Sequence, residues 1–300
     1  MIKRRRLGAL LFVAAGLALG VMLWPRGDAA ETQRPGVVLE VPGREAVHLT
    51  SKEARLIGSG RRPLSIPERR TVTRGSAEIT YELDLVEARR QLGQAAGGGG
   101  SVRVSERPIA ARVEAPIVQQ VYPNNCETAA LEMLLATRGF ERDQVELQKA
   151  LRRDGPLDPR TDGDGEKVWG NPRYGFVGRA EGGGLAGGFG VYPKPLMQLA
   201  ERWVSPVNLS AKPPAAIYRR LLQGRAVLVW IGLSAGPYES WTGPRGEPVT
   251  VNFGEHTVLL RGLRGNSLLV NDPLSGERLV WSKEEFESKW SLLGRRAISA

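Results

Sequence analysis

Cysteine occurs once among the 300 residues and histidine twice, and one of each lies beyond residue 110. Cys126 stands in Gln120-Val-Tyr-Pro-Asn-Asn-Cys126-Glu-Thr-Ala-Ala-Leu-Glu-Met-Leu-Leu135, at the start of an apolar helical run. A thiol acts as a nucleophile through its thiolate, so it needs a base, a group that orients the base, and donors for an oxyanion. The helix start favours an anion by at most ~1 kcal/mol. A thiol with an ordinary pKa of about 8.5 stays mostly protonated at neutral pH after so small a shift. Cys126 therefore requires an imidazole. His256, in Gly254-Glu-His-Thr-Val-Leu-Leu260, is the one base available in this part of the chain, while His48 in Ala46-Val-His-Leu-Thr50 reads as a solvated or packed histidine. Further on, Asn271-Asp272-Pro273 ends a neighbouring strand. A tight hairpin would bring Asp272 to one ring nitrogen and fix the tautomer; a turn residue before Pro273 is the competing reading. Gln120 has a side-chain N–H to offer an oxyanion beside the backbone N–H of Cys126, and Gln119 could do the same.

The elements that position these groups are readable in outline. Residues 126–137 form a helix, with Asn124 or Asn125 as N-cap and Gly139 as the left-handed stop. A second, amphipathic helix covers 143–153. Residues 154–195 make a long Gly/Pro/Asp loop, whose repeated aromatics favour order. Helices follow at 195–203 and 215–223. Residues 226–233 are apolar almost throughout, as expected of a strand buried on both faces. Residues 256–262 and 266–272 form a hairpin, 278–281 a further strand, 282–293 a helix and 297–298 a last strand. Helices first and an antiparallel sheet second argue an α+β fold.

Ahead of this domain the texture differs. Residues 1–6 form a basic tail, and the 18 residues from 7 to 24 are uninterruptedly apolar. That length just crosses a bilayer core and exceeds a typical signal-peptide apolar region. The charges ahead of it hold the start in the cytoplasm and export the rest. We expect a single retained transmembrane anchor rather than a cleaved signal, with the remainder extracytoplasmic. Residues 25–110 read as a stalk or small β-rich module, with a flexible glycine linker at 97–101. Export also narrows the meaning of a lone cysteine, which cannot close an intramolecular bridge.

The formal net charge is +10, but residues 1–110 hold 18 Lys/Arg against 11 Asp/Glu, leaving +3 for 111–300. No basic stripe with interleaved aromatics appears there, so nucleic acid is not an expected partner. One cysteine and one histidine cannot build a tetrahedral N/S metal site without several carboxylates. Asp162-Gly-Asp-Gly-Glu166 has the wrong spacing for a calcium loop, and Gly182 to Gly190 lacks the strand-then-helix setting of a phosphate loop. No cofactor or metal is expected.

The order glutamine, cysteine, histidine, then Asn-Asp-Pro resembles the bacteriocin-processing, double-glycine cysteine peptidases, and most of all their stand-alone exported C39-like relatives. The carrying stretches are Tyr122-Pro-Asn-Asn-Cys-Glu-Thr-Ala-Ala-Leu-Glu-Met133, Trp169-Gly-Asn-Pro-Arg-Tyr-Gly-Phe-Val-Gly178, Gly188-Phe-Gly-Val-Tyr192, Glu255-His-Thr-Val-Leu-Leu260 and Val270-Asn-Asp-Pro-Leu274. The resemblance covers about 115–300. It implies a papain-like fold over 111–300, with Cys126 as nucleophile, His256 as base, Asp272 as orienter and Gln120 in the oxyanion hole. A peptide or protein would be the substrate. Two other readings remain: a papain-like surface module that binds without catalysis, and a cell-wall amidase acting on peptidoglycan.

Overall fold

The computed structural model describes residues 36–182 and 187–300. The basic tail, the apolar span 7–24, residues 25–35 and part of the glycine-rich run, 183–186, lie outside the described residues. Among the described residues no helix is long and apolar enough to cross a membrane.

The strand Glu255–Arg264 is the hub of a large antiparallel sheet. On one edge it pairs with Val227–Gly232 through residues 255–260 and with Glu106–Val113 through 262–264; on the other it pairs with Ser267–Asp272. A register shift between Leu260 and Gly262 bends the strand where its partner changes. The sheet runs Val207–Asn208, Ala297–Ser299, Val227–Gly232, Glu255–Arg264, Glu106–Val113, Ala77–Leu83, Arg69–Arg74, and Glu277–Ser282 pairs on the far side of Ser267–Asp272.

Two cores sandwich this sheet. Leu228, Trp230 and Leu259 face the helix Cys126–Ala136. Val227, Val229, Ile231, Val258 and Leu260 face the helices Pro214–Leu222 and Lys283–Ser291, through Ile217, Leu221, Phe286 and Trp290. Cover on both faces explains why Val227–Gly232 is buried at every position. The cysteine helix is itself almost wholly buried, so its apolar residues need no single stripe.

Three expectations are corrected. Among the described residues, 36–110 are not wholly a stalk or module apart from the main domain. Arg69–Arg74, Ala77–Leu83 and Glu106–Val113 belong to the central sheet, and the boundary expected at 110 falls inside one of its strands. The reason is burial: Ala77, Ile79, Ala111 and Val113 share a core with Trp230 and Leu259. The glycine run at 97–101 is a turn rather than a flexible linker. Gly100–Arg103 lies parallel to Val37–Glu40, and Gly99 and Gly100 take the left-handed φ values the turn requires, 76° and 121°. A helix, Ser51–Gly58, was also missed, although Thr50 and Glu53 form a capping box that marks its start. It crosses Leu85–Ala95 at Gly58 and Gly93, where a Cβ on Gly58 would lie 2.4 Å from the Cα of Gly93.

The described parts of the long loop, 154–182 and 187–195, are ordered. Arg160–Thr161 and Lys167–Val168 join Tyr238–Thr242 and Pro248–Asn252 in a four-stranded sheet. Trp169 and Trp241 pack with ring centroids 5.3 Å apart, their indole N–H groups donating to Pro156 and Gly170 carbonyls.

Because Ile79 lies in the core of the cysteine helix, Ile79→Ala should cost about 2–4 kcal/mol and move the unfolding of the whole molecule. Calorimetry should show one transition shifted to lower temperature. A second transition, with only the early one displaced, would restore an independent N-terminal unit.

Candidate active site

Cys126 is the first residue of its helix, and the turn before it is fastened from several sides. Asn125 is fully buried and does not cap the helix. Its Oδ1 instead accepts from the Tyr122 N–H (2.9 Å), and its Nδ2 donates to Gln144 Oε1 (2.8 Å). Gln144 also accepts from Val121 N–H and donates to the Gln119 carbonyl. The Gln120 N–H bonds the Pro273 carbonyl (2.8 Å), tying the turn directly to the Asn-Asp-Pro segment.

A cleft of about 200 Å³ brings Gln120, Asn124, Cys126, Phe189, Glu255 and His256 together. His256 is buried, and its Nε2 lies 2.6 Å from Asp272 Oδ1 across the hairpin. Burial opposes ionisation of Asp272, but bonds from His256, Leu274 N–H and Ser275 Oγ outweigh it and hold the carboxyl below its ordinary range. An ionised Asp272 fixes Nε2 as the protonated nitrogen of a neutral ring, which leaves Nδ1 as the basic one.

Gln120 is differently engaged from the expected oxyanion donor. Its Nε2 donates to the Tyr122 and Pro123 carbonyls, at 2.9 and 3.0 Å, and its Oε1 is buried without a partner among the described residues. Both amide hydrogens brace the turn. The thiol also has unexpected neighbours. Among the described residues no hydrogen bond joins it to His256; Sγ donates to Glu127 Oε2 at 3.5 Å. The sulfur and the carboxylates of Glu127 and Glu255 all lie within 4.8 Å of one another.

These two glutamates were not singled out in the sequence, although each sits next to a singled-out residue. A charged residue at the second position of a largely apolar helix was the available signal. Glu127 is 1% exposed, and its Oε1 accepts from Val191 N–H at 2.6 Å. Gly190 (φ 120°) makes that approach possible, since a Cβ there would lie 2.3 Å from Glu127 Oε1. Burial pushes the Glu127 carboxyl up to about 7, despite the Val191 bond. Burial, and then repulsion from Glu127, pushes Glu255 well above the usual carboxylate range. Burial and the same two carboxylates push the Cys126 thiol well up. At rest the sulfur is therefore a thiol. The helix start contributes its small share, and burial beside two acids wins.

Fold and site together define a class. The chain belongs to the Peptidase C39 like family, whose pattern matches residues 113–298. It is 29% identical over 181 residues to the uncharacterized protein YvpB of Bacillus subtilis (strain 168), covering 58% of this chain and 68% of that protein. It is also similar to a crystal structure titled as a putative C39-like peptidase from Bacillus anthracis, with 28% identity and a TM-score of 0.54, covering 62% of this chain and 94% of that one.

The acid pair makes a signed prediction. In Glu127→Gln the repulsion on the sulfur falls, so alkylation by iodoacetamide at pH 7 should speed up severalfold. An unchanged or slower rate would remove Glu127 from the control of the thiol. The same group links stability to pH. Its folded pKa of about 7 lies above the ordinary 4.5, so its contribution to stability is present below pH 4.5 and lost as pH rises through 7. Urea unfolding should show that loss in the wild type and a flatter profile in Glu127→Gln.

Proposed function

We propose that this protein is a cysteine-type amide hydrolase, most simply a peptidase, held at the membrane by residues 7–24 with its active site outside the cytoplasm. The observation that carries the reading is one cleft containing both Cys126 and His256, with Asp272 2.6 Å behind the imidazole. In the proposed cycle the thiol turns from Glu127 toward His256 Nδ1, which takes its proton as the sulfur attacks the substrate carbonyl. The oxyanion accepts from the backbone N–H of Cys126, and from Gln120 if its amide leaves the Tyr122 and Pro123 carbonyls. Collapse of the intermediate expels the amine, with the proton returned by the imidazolium, and leaves a thioester. Water, deprotonated by His256, then releases the acid and the free thiol.

A non-catalytic binding module has one observation in its favour: the sulfur is partnered by Glu127 rather than by the imidazole. A peptidoglycan amidase would use the same residues and differ in substrate alone.

An electrophilic, activity-directed thiol probe separates catalysis from simple exposure. Wild type should be labelled, and Cys126→Ala should not. His256→Ala should react at least about 100-fold more slowly, the usual share of a general base. Asp272→Asn should fall between wild type and His256→Ala. Equal labelling of wild type and the His256 variant would overturn the mechanism. Peptide libraries set against purified peptidoglycan would then distinguish peptidase from amidase.

A further inference from the structure

The strand from Gly188 to Gly190 and the residues after it separate two cavities. Phe189 lines the cysteine cleft; Tyr192, whose ring meets that of Phe189 edge-on at 5.6 Å, lines a second cavity of about 410 Å³ on the other side. Arg173, Lys194 and Arg296 converge on this second cavity, and no acidic residue lines it. Among the described residues none of the three makes an ion pair. Arg296 is the deepest. Its guanidinium lies over the Tyr192 ring, 3.6 Å from the centroid, and donates to the Leu293 carbonyl. Burial pushes it below its usual range and the Arg173 guanidinium adds to that, while Glu255 attracts it from beyond ion-pair distance. Two like charges drawn together at a half-buried site are unfavourable unless something negative lies between them.

The frame of the cavity gives a second, independent observation. Among the described residues, the non-glycine residues with left-handed φ are Ala211 (59°) and Arg295 (55°). They are bonded to each other, Ala211 N–H to the Arg295 carbonyl at 2.9 Å, and they adjoin the lining residues Ser210 and Arg296. Strained backbone of this kind persists where surrounding structure holds it, and it gathers at binding sites. The remaining wall includes two aromatic rings, Tyr174 and Tyr192. Tyr174 is exposed on one side and covered on the other by Arg245, which is already paired with Asp154 and Glu247.

We infer that this second cavity is a binding site for an oxyanion, a carboxylate or a phosphate, carried on a ligand whose planar or apolar part lies against Tyr174 and Tyr192. Arg173 and Arg296 offer planar, multidentate donors of the kind such groups require, and Lys194 adds a mobile point charge. The site does not depend on catalysis at Cys126.

The test uses the full chain in phosphate-free buffer at fixed ionic strength, with benzoate, phenyl phosphate and neutral benzamide as probes. At about ten times the dissociation constant, or about 10 mM for a millimolar fragment, an anionic probe should raise the Tm by about 3 °C. Whichever of benzoate and phenyl phosphate gives the larger rise identifies the preferred oxyanion. Benzamide should give none. Arg173 and Lys194 are exposed, so Arg173→Gln/Lys194→Gln should fold normally and lose the rise. The site is overturned if neither anion raises the Tm, if benzamide does so equally, or if the rise persists undiminished in the double variant.

Discussion

The strand Glu255–Arg264 is hydrogen-bonded along both edges, and the backbone of the site is built around it. It carries Glu255 and His256, and its Thr257 hydroxyl donates to the Glu255 carboxylate beside the cysteine sulfur. Its hairpin partner ends in Asp272, and the turn before Cys126 is bonded to Pro273 just beyond. A slip of one residue would exchange the faces of every side chain on the strand, parting the imidazole from Asp272 and opening the cores above and below. The apolar runs at 226–231 and 257–260 forbid that slip, because both faces are packed. Catalytic geometry is thus inherited from hydrophobic register.

Against this rigid frame the site holds an unfavourable charge arrangement. Two buried carboxylates and a thiol occupy the space that a thiolate would need. Ionising all three would place three like charges inside a few ångströms of low-dielectric interior, so the cluster keeps protons that its members would ordinarily release. The cost is offset by the Val191 N–H on Glu127 and the Thr257 hydroxyl on Glu255. Asp272, held below its ordinary range, has the opposite bias.

Much of this was legible in the sequence, for identifiable reasons. The scarcity of cysteine and histidine left few pairings, and the apolar run at 226–233 admitted little besides a doubly covered strand. The His256–Asp272 contact followed from a hairpin whose turn, at Gly265, takes a left-handed φ. What escaped depended on contacts between distant segments. Glu127 looks like an ordinary first-turn acid until the fold closes Gly190 over it. Gln120 had the right type and spacing for an oxyanion donor, yet the carbonyls of Tyr122 and Pro123 are nearer. The N-terminal segment was read as separate because its composition is polar and glycine-rich. Its core residues at 77 and 79 are few, and they share that core with Trp230 and Leu259, about 150 or more residues away in the chain.

The sheet therefore continues past the residues that the family pattern covers. The strand Glu106–Val113 closes the edge of Glu255–Arg264 at 262–264, and Ala77–Leu83 and Arg69–Arg74 lie beyond it. A fragment trimmed to begin at 113 would carry an open strand edge beside uncovered apolar side chains, a surface that recruits strands from other chains. The sheet that carries this site begins well upstream of the recognisable family core.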